Sequence, residues 1–252
     1  MKVTIDGQSI EVEPGTTILQ AARMIGGEVV PPAMCYYSKL KGSGGKCRCC
    51  LVDITKGSEA DPRPMPKLMA SCVTGCQDGM EIASAASPRV QEARKSVTEF
   101  LLINHPLDCP VCDQAGECDL QNLSFKHGKS ETRFIEEKRT FEPEDIGPNI
   151  QLHMNRCILC YRCVMVADQL TDNRVHGVMD RGDHSNISTC LSKAITNKFF
   201  YLVEFIFSAS YSLNFVTEHP NRRFTTTFIA ISMGIIRFVE PNSRFESEGF
   251  IG

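Results

Sequence analysis

Tryptophan is absent from the 252 residues, and that absence decides nothing about fold or chemistry. Other absences exclude more. No basic segment followed by an apolar run opens the chain at Met1-Lys-Val-Thr-Ile-Asp-Gly, so no secretory signal is read and the thiols are expected in a reducing compartment. No window supplies the roughly 20 apolar residues of a membrane span. The best stretch, Phe199 to Val216, is broken by Glu204, Asn214 and several serines. Excess charge is missing too: 27 Lys and Arg stand against 30 Asp and Glu, a net of −3. That balance points to neither nucleic acid nor an anionic membrane surface as partner. No G-x-G-x-x-G follows a strand-like run, and no Ser/His/Asp set or carboxylate pair stands out. The sequence shows no dinucleotide site and no substrate pocket of its own.

Cysteine is what the chain has in quantity. Of 13, all but Cys190 lie between Cys35 and Cys163, most of them two to five residues from another. In a reducing compartment such crowding reads as metal binding rather than disulfides. The first constellation is Cys35, then Cys47-Arg-Cys-Cys50, then Cys72. A C-x-x-C pair with two remote partners fits a 2Fe–2S centre, and Gly42, Gly44 and Gly45 let backbone N–H groups face the sulfurs. A four-cysteine zinc site is the alternative that the spacing permits.

The second constellation is His105-Pro-Leu-Asp-Cys109-Pro-Val-Cys112-Asp-Gln-Ala-Gly-Glu-Cys118. Three cysteines in ten residues wrap one metal centre and leave a corner open. His105 stands four residues upstream. By position alone it reads first as a helix-end residue and second as the missing ligand. The third constellation is Cys157-Ile-Leu-Cys160-Tyr-Arg-Cys163. Its two short loops place three thiolates on one face of a 4Fe–4S cube. The fourth ligand of such a site is normally remote and often precedes proline; no Cys-Pro follows here, and only Cys190 remains downstream. Cys49, Cys76 and Cys190 are left over, as small apolar fillers or exposed thiols.

The pattern around the cysteines predicts small α+β units. Residues 2–13 alternate about Asp6-Gly7, a hairpin. Ile18, Leu19, Ala22 and Ile25 follow Thr16-Thr17 at helical spacing and stop at Gly26-Gly27. Leu51 to Ile54 and Met80 to Ile82 are strand candidates; Gly57 to Lys67, with three prolines, is a surface loop. Ser87-Pro88 opens a second helix with an apolar face of Val90, Ala93, Val97, Phe100 and Leu101, ending near Asn104 because Pro106 follows. Residues 108–121 are expected to be compact. Lys126 to Asp145 reads as a charged connection, with the Arg/Glu run 131–139 solvated. A short helix follows Cys163 through Leu170. His153, His176 and His184 lack ligand partners at metal spacing.

Asn104 to Gln121, NHPLDCPVCDQAGECDLQ, resembles the histidine-plus-three-cysteine segment of the G-type subunit of NADH:quinone oxidoreductase, respiratory complex I. GGKCRCCLV (Gly44 to Val52) and MASC (Met69 to Cys72) are similar to that family's 2Fe–2S region. NRCILCYRCV (Asn155 to Val164) and DRGDHSNIST (Asp180 to Thr189) are similar to its next 4Fe–4S region. The resemblance covers roughly residues 1–198. It implies a ferredoxin-like β-grasp domain over 1–84, a His(Cys)3-ligated 4Fe–4S domain over 85–140, a partial 4Fe–4S domain over 141–198, and a divergent tail over 199–252. It makes Cys35, Cys47, Cys50 and Cys72 the 2Fe–2S ligands, and His105, Cys109, Cys112 and Cys118 the ligands of one 4Fe–4S cluster. Cys157, Cys160 and Cys163 become three of four ligands of a second.

Two features depart from the family. The Cys-Pro segment bearing the last ligand is missing, and the large molybdopterin-type domain does not fit in 252 residues, which implies a truncated form. The expected role is a single-electron relay with no substrate site of its own. Its partners would be other complex I subunits, including the flavin-bearing one that oxidises NADH, at the cytoplasmic side of the inner membrane without a direct span. An iron–sulfur subunit of an NAD-linked hydrogenase or formate dehydrogenase is the alternative within the enzymes, and a zinc-stabilised structural module the alternative outside them.

Overall fold

The computed structural model describes residues 1–147, 150–170, 176–189 and 236–238. Cys190 and most of the expected tail lie outside the described residues.

The N-terminal unit is a mixed sheet crossed by one helix. Strands β1 (Lys2–Ile5) and β2 (Gln8–Glu11) pair antiparallel, Val3 opposite Ile10. Asp6 and Gly7 both take positive φ, 47° and 81°, as a two-residue primed turn requires. β3 (Leu51–Lys56), β4 (Met69–Ala70) and β5 (Glu81–Ala83) complete the sheet in the order β2-β1-β5-β3-β4. β1 and β5 run parallel at its centre, so the chain must cross over between them. The crossover carries helix α1 (Ile18–Ile25) and the cysteine loop. Thr17 caps α1: its hydroxyl accepts from the Gln20 N–H while Gln20 Oε1 accepts from the Thr17 N–H at 2.9 Å. Ile18, Ala21 and Ala22 bury one helix face on Val3, Ile5, Val52, Ile54 and Ile82. This parallel pair with a covering helix is the expected β-grasp.

Helix α2 (Pro88–Leu102) starts where Ser87 accepts from the Val90 N–H, and it packs on β3. Its inner face keeps Val90, Val97 and Leu101 of the expected stripe and departs from it at the other positions. Val90, Arg94 and Thr98 are buried, whereas Phe100 is 74% exposed. Positions 90, 94 and 98 recur every four residues and face the sheet; Phe100 is turned away from them.

Helix α3 (Asp119–His127) packs on α2 through Leu120 and Leu123, and its last turn takes in Lys126 and His127, the start of the expected connection. The charged run after it is clipped back to α2 rather than simply solvated. Arg133 makes a double hydrogen bond to Glu99 at 2.7 and 3.0 Å. Lys138 Nζ donates to the carbonyls of Leu102 and Ile103, which closes the helix end.

The third unit combines hairpins β6 (Glu144–Gly147)/β7 (Ile150–Leu152) and β8 (His176–Met179)/β9 (Asn186–Thr189) with helix α4 (Arg162–Leu170). The short strand β10 (Ile236–Phe238) pairs antiparallel with β7. No described helix is long and apolar enough to cross a membrane.

Candidate metal centres

Main-chain pairing builds the first site. Leu51 opposite Ala70 in the β3–β4 ladder brings Cys50 and Cys72 to adjoining ends, and Cys50 Sγ lies 3.3 Å from Cys72 Sγ. Ser71 locks this junction, its N–H and hydroxyl both donating to the Cys50 carbonyl. The loop after Ser71 is stitched to α1: the N–H groups of Ile18 and Leu19 donate to the carbonyls of Thr74 and Ser71. Above the junction the glycine-rich loop folds over the sulfurs. The Gly45 N–H donates to Cys72 Sγ at 3.1 Å; those of Lys46 and Cys47 donate to Cys35 Sγ at 3.3 and 3.4 Å.

The four thiols are mutually incompatible as anions without a cation among them. Contacts with the Cys47 and Cys72 thiols, helped by the N–H donors, hold Cys35 below the ordinary thiol value. The same crowding pushes Cys47 and Cys72 up, first through their hydrogen bonds with the Cys35 sulfur and then through burial and the charge of neighbouring thiolates. Positive iron would let all four ionise. A Cβ on Gly44, whose φ is +109°, would sit 3.0 Å from Cys72 Sγ. The loop is thus shaped to lie against the sulfur, and the donor set fits a 2Fe–2S centre. Among the described residues no three His, Cys, Asp or Glu side chains surround a single-ion position, so the fit rests on the thiol contacts and N–H donors.

Cys49 and Cys76, both left over in the sequence, are both buried. Cys49 Sγ faces Met34 Sδ at 3.9 Å and the Cys47 carbonyl at 3.6 Å. Cys76 lies in the sheet core with Val12 and Ile18, and burial pushes its thiol up.

At the second site, His105, Cys109, Cys112 and Cys118 line one cavity of about 470 Å³. The α2 end turns His105 inward through its N–H to the Leu102 carbonyl. Cys109 begins a 3-10 turn, and Cys118 occupies the N-cap of α3, whose first N–H groups favour negative charge. Burial first, then Lys138 and Arg156, holds the His105 imidazole below its ordinary pKa. The neutral ring is the form a metal ligand requires.

At the third site the Cys157–Cys163 loop takes left-handed backbone at Leu159 (φ 54°) and Tyr161 (φ 62°), as Arg48 (φ 60°) does in the first. Such strain in non-glycine residues concentrates at functional sites, and it turns N–H groups toward an anion. The Leu159 N–H donates to Cys157 Sγ at 3.3 Å. Burial pushes the Cys157 thiol up to about 12 and raises Cys163 as well.

The structure adds what spacing alone did not show: the three constellations meet. Cys35, Cys47 and Cys160 are buried in one apolar cluster with Leu120, Leu152 and Ile158, and Cys118, Cys157 and Cys163 pack against it. Gln169 of α4 exchanges two hydrogen bonds with the backbone of Lys41, at 3.0 and 2.8 Å. Arg156 reaches Asp108 at 3.2 Å. Sequence reasoning missed Arg94, buried on α2 where it lines a cavity with Ala33 and Met34, the neighbours of Cys35. Its signal was a four-residue recurrence, Val90, Arg94, Thr98, hidden because a charged residue was not admitted to a buried face.

Fold and donor sets together define an iron–sulfur protein, with a 2Fe–2S β-grasp domain followed by 4Fe–4S-type regions. Three family models match in succession. A 2Fe-2S iron-sulfur cluster binding domain covers residues 1–87, the NADH-ubiquinone oxidoreductase-G iron-sulfur binding region covers 94–133, and the ferredoxin-like domain of NADH-quinone oxidoreductase subunit 3 covers 147–202. The G-type subunit of NADH-quinone oxidoreductase from Rickettsia bellii is 43% identical over 198 residues, which is 79% of this chain and 27% of that protein. The NADH-ubiquinone oxidoreductase 75 kDa subunit of Reclinomonas americana gives 43%, 79% and 27% as well. The chain is thus similar to NADH-quinone oxidoreductase G-type subunits over 79% of its length and spans about a quarter of the length of these curated relatives. A crystal structure of NAD+-reducing NiFe hydrogenase in the H2-reduced state shares the fold, with a TM-score of 0.69 and 24% identity over 96% of this chain and 89% of that one.

Proposed function

We propose that the chain is an electron-relay subunit of an NADH:quinone oxidoreductase, receiving electrons that began on NADH at a flavin-bearing partner and passing them toward quinone. The observation that carries this reading is the shared core. Members of three cysteine sets that are far apart in sequence, Cys35 and Cys47, Cys118, and Cys157, Cys160 and Cys163, lie in or against one apolar cluster, which brings the three sites into one neighbourhood. The ligands are Cys35, Cys47, Cys50 and Cys72 for a 2Fe–2S cluster, and His105, Cys109, Cys112 and Cys118 for a 4Fe–4S cluster. Cys157, Cys160 and Cys163 are three ligands of a further site.

When bound, such clusters take up and release single electrons. The chain's own residues supply the rest. The N–H groups of Gly45, Lys46, Cys47 and Leu159 donate to ligand sulfurs and stabilise added negative charge. Burial of Cys35, Cys47, Cys50 and Cys72 keeps water from the first centre. The protein is peripheral, on the cytoplasmic face of the inner membrane, held there by its partner subunits.

Co-expression of the full chain with the flavin-bearing subunit tests this. NADH should bleach the visible absorption of the chain's clusters in the co-purified pair and leave the chain alone unbleached. Clusters that stay oxidised in the pair would refute the relay. The hydrogenase fold likeness supports a second reading, in which the same modules serve an NAD-linked hydrogenase. Co-purification with a hydrogenase subunit instead would select it.

A further inference from the structure

A guanidinium on α2 lines a cavity with the neighbours of Cys35, almost without exposure and with one nitrogen unpartnered. Arg94 is 3% exposed. Its Nη2 donates to Ser84 Oγ at 2.9 Å, and its Nε is buried with no hydrogen-bond partner. A buried cation so poorly satisfied is costly unless an opposite charge faces it. The nearby carboxylate, Asp6, is already committed. Its oxygens accept from the N–H groups of Ser84 and Ala85 at 2.7 and 2.8 Å, and of Ala86 at 3.4 Å. Asp6 acts on Arg94 only at a distance, and so do Cys50 and Cys49.

Helix α2 sets this arrangement. It packs on β3, the strand that leaves Cys50, and it is anchored there by Ser87 and Arg89 to Asp53. Two turns on from the Ser87 cap, Arg94 is carried inward beside the cysteine loop, where it lines a cavity together with Ala33 and Met34, the neighbours of Cys35. Nothing else charged is buried to this degree on the N-terminal sheet among the described residues.

We propose that Arg94 is a positioning residue for the 2Fe–2S centre: its charge partly compensates the ligand thiolates and raises the centre's reduction potential. This inference rests on the ligand assignment above. Four thiolates around two irons carry net negative charge, and reduction adds another negative charge. A fixed cation held at low dielectric favours the reduced form over the oxidised one. Asp6 is the strongest counter-charge acting on the guanidinium among the protein's own groups, and the negative charge of the centre adds to it.

The test is a redox titration of the anaerobically reconstituted full chain. The reduced 2Fe–2S signal is followed by electron paramagnetic resonance, at temperatures where 4Fe–4S signals are broadened away. Arg94→Met should shift the reduction equilibrium at least about tenfold toward the oxidised form, a fall of about 59 mV for one electron. Arg94→Lys, which keeps the charge, should stay close to the unaltered chain. An intact signal at unchanged potential in Arg94→Met overturns the proposal, and so does an equal fall in both variants. Where Arg94→Met loses the cluster, Arg94→Gln keeps a polar end for Ser84 and carries the same expectation. Loss in all three variants assigns Arg94 to shape rather than charge and overturns the proposal; loss in Met and Gln with retention in Lys supports it. Absence of any 2Fe–2S signal from the unaltered chain would instead overturn the ligand assignment itself.

Discussion

Gly44 has no side chain, and the loop leaves no room for one. A methyl there meets Cys72 Sγ at 3.0 Å and Val73 at 3.3 Å, on backbone that side chains rarely adopt. Gly44→Ala is therefore expected to cost about 1–3 kcal/mol and to lower 2Fe–2S content markedly. Gly42 also has positive φ, 71°, but open space around it, so Gly42→Ala should cost stability while leaving cluster content near that of the unaltered chain. Equal cluster loss in both would show that the contact with Cys72 is irrelevant. Cys72 and Cys76 separate in the same way. Cys72→Ser should abolish the 2Fe–2S spectrum, because that sulfur adjoins Cys50 and receives the Gly45 N–H. Cys76→Ser should keep the spectrum and lose about 1–3 kcal/mol in urea unfolding, since it buries a hydroxyl in the sheet core. Loss of the spectrum in Cys76→Ser alone would reverse the assignment.

Caps and turns were the most legible elements. Asp6-Gly7, Thr17 and Ser87-Pro88 each announce an element end by local chemistry, and the structure puts hairpin, α1 and α2 there. Thr17→Ala should lower the unfolding free energy by about 1 kcal/mol, read as a lower urea midpoint at unchanged slope. It should also make the 2Fe–2S centre more labile, because the first turn of α1 donates to the loop that carries Cys72. An unchanged midpoint would mean that tertiary contacts alone hold α1. What was illegible depended on packing. β4 has only two residues, too few for a period, and α3 begins inside a cysteine-rich segment whose charged end looked like linker. On α2, Val90, Val97 and Leu101 pack inward as expected, but Phe100 seemed apolar enough to bury and is exposed, and Arg94 seemed too charged to bury and is not exposed. In the site, the cysteine sets were legible because ligand spacing is local. Their meeting in one core was not, since Lys41 and Gln169 are joined only by the fold.

For the whole molecule, the joints between units matter as much as the sites. Arg156 in the third unit reaches Asp108 in the second, with its side chain only 12% exposed. Arg156→Met removes that link and leaves Asp108, at the rim of the His105 cavity, without its cation. It should cost about 1–3 kcal/mol and increase iron loss from the 4Fe–4S site on standing, with the 2Fe–2S content unaffected. Equal loss from both centres would show that the joint serves the whole core instead. The central claim is that this one chain holds two complete iron–sulfur clusters on the ligand sets named. It is tested most directly by iron and sulfide analysis of the anaerobically reconstituted full chain, alongside Cys72→Ser and Cys112→Ser. The account predicts about six irons per chain with matching sulfide, falling by about two in Cys72→Ser and by about four in Cys112→Ser. A colourless protein that binds zinc in place of iron, or iron content unmoved by either substitution, would contradict it.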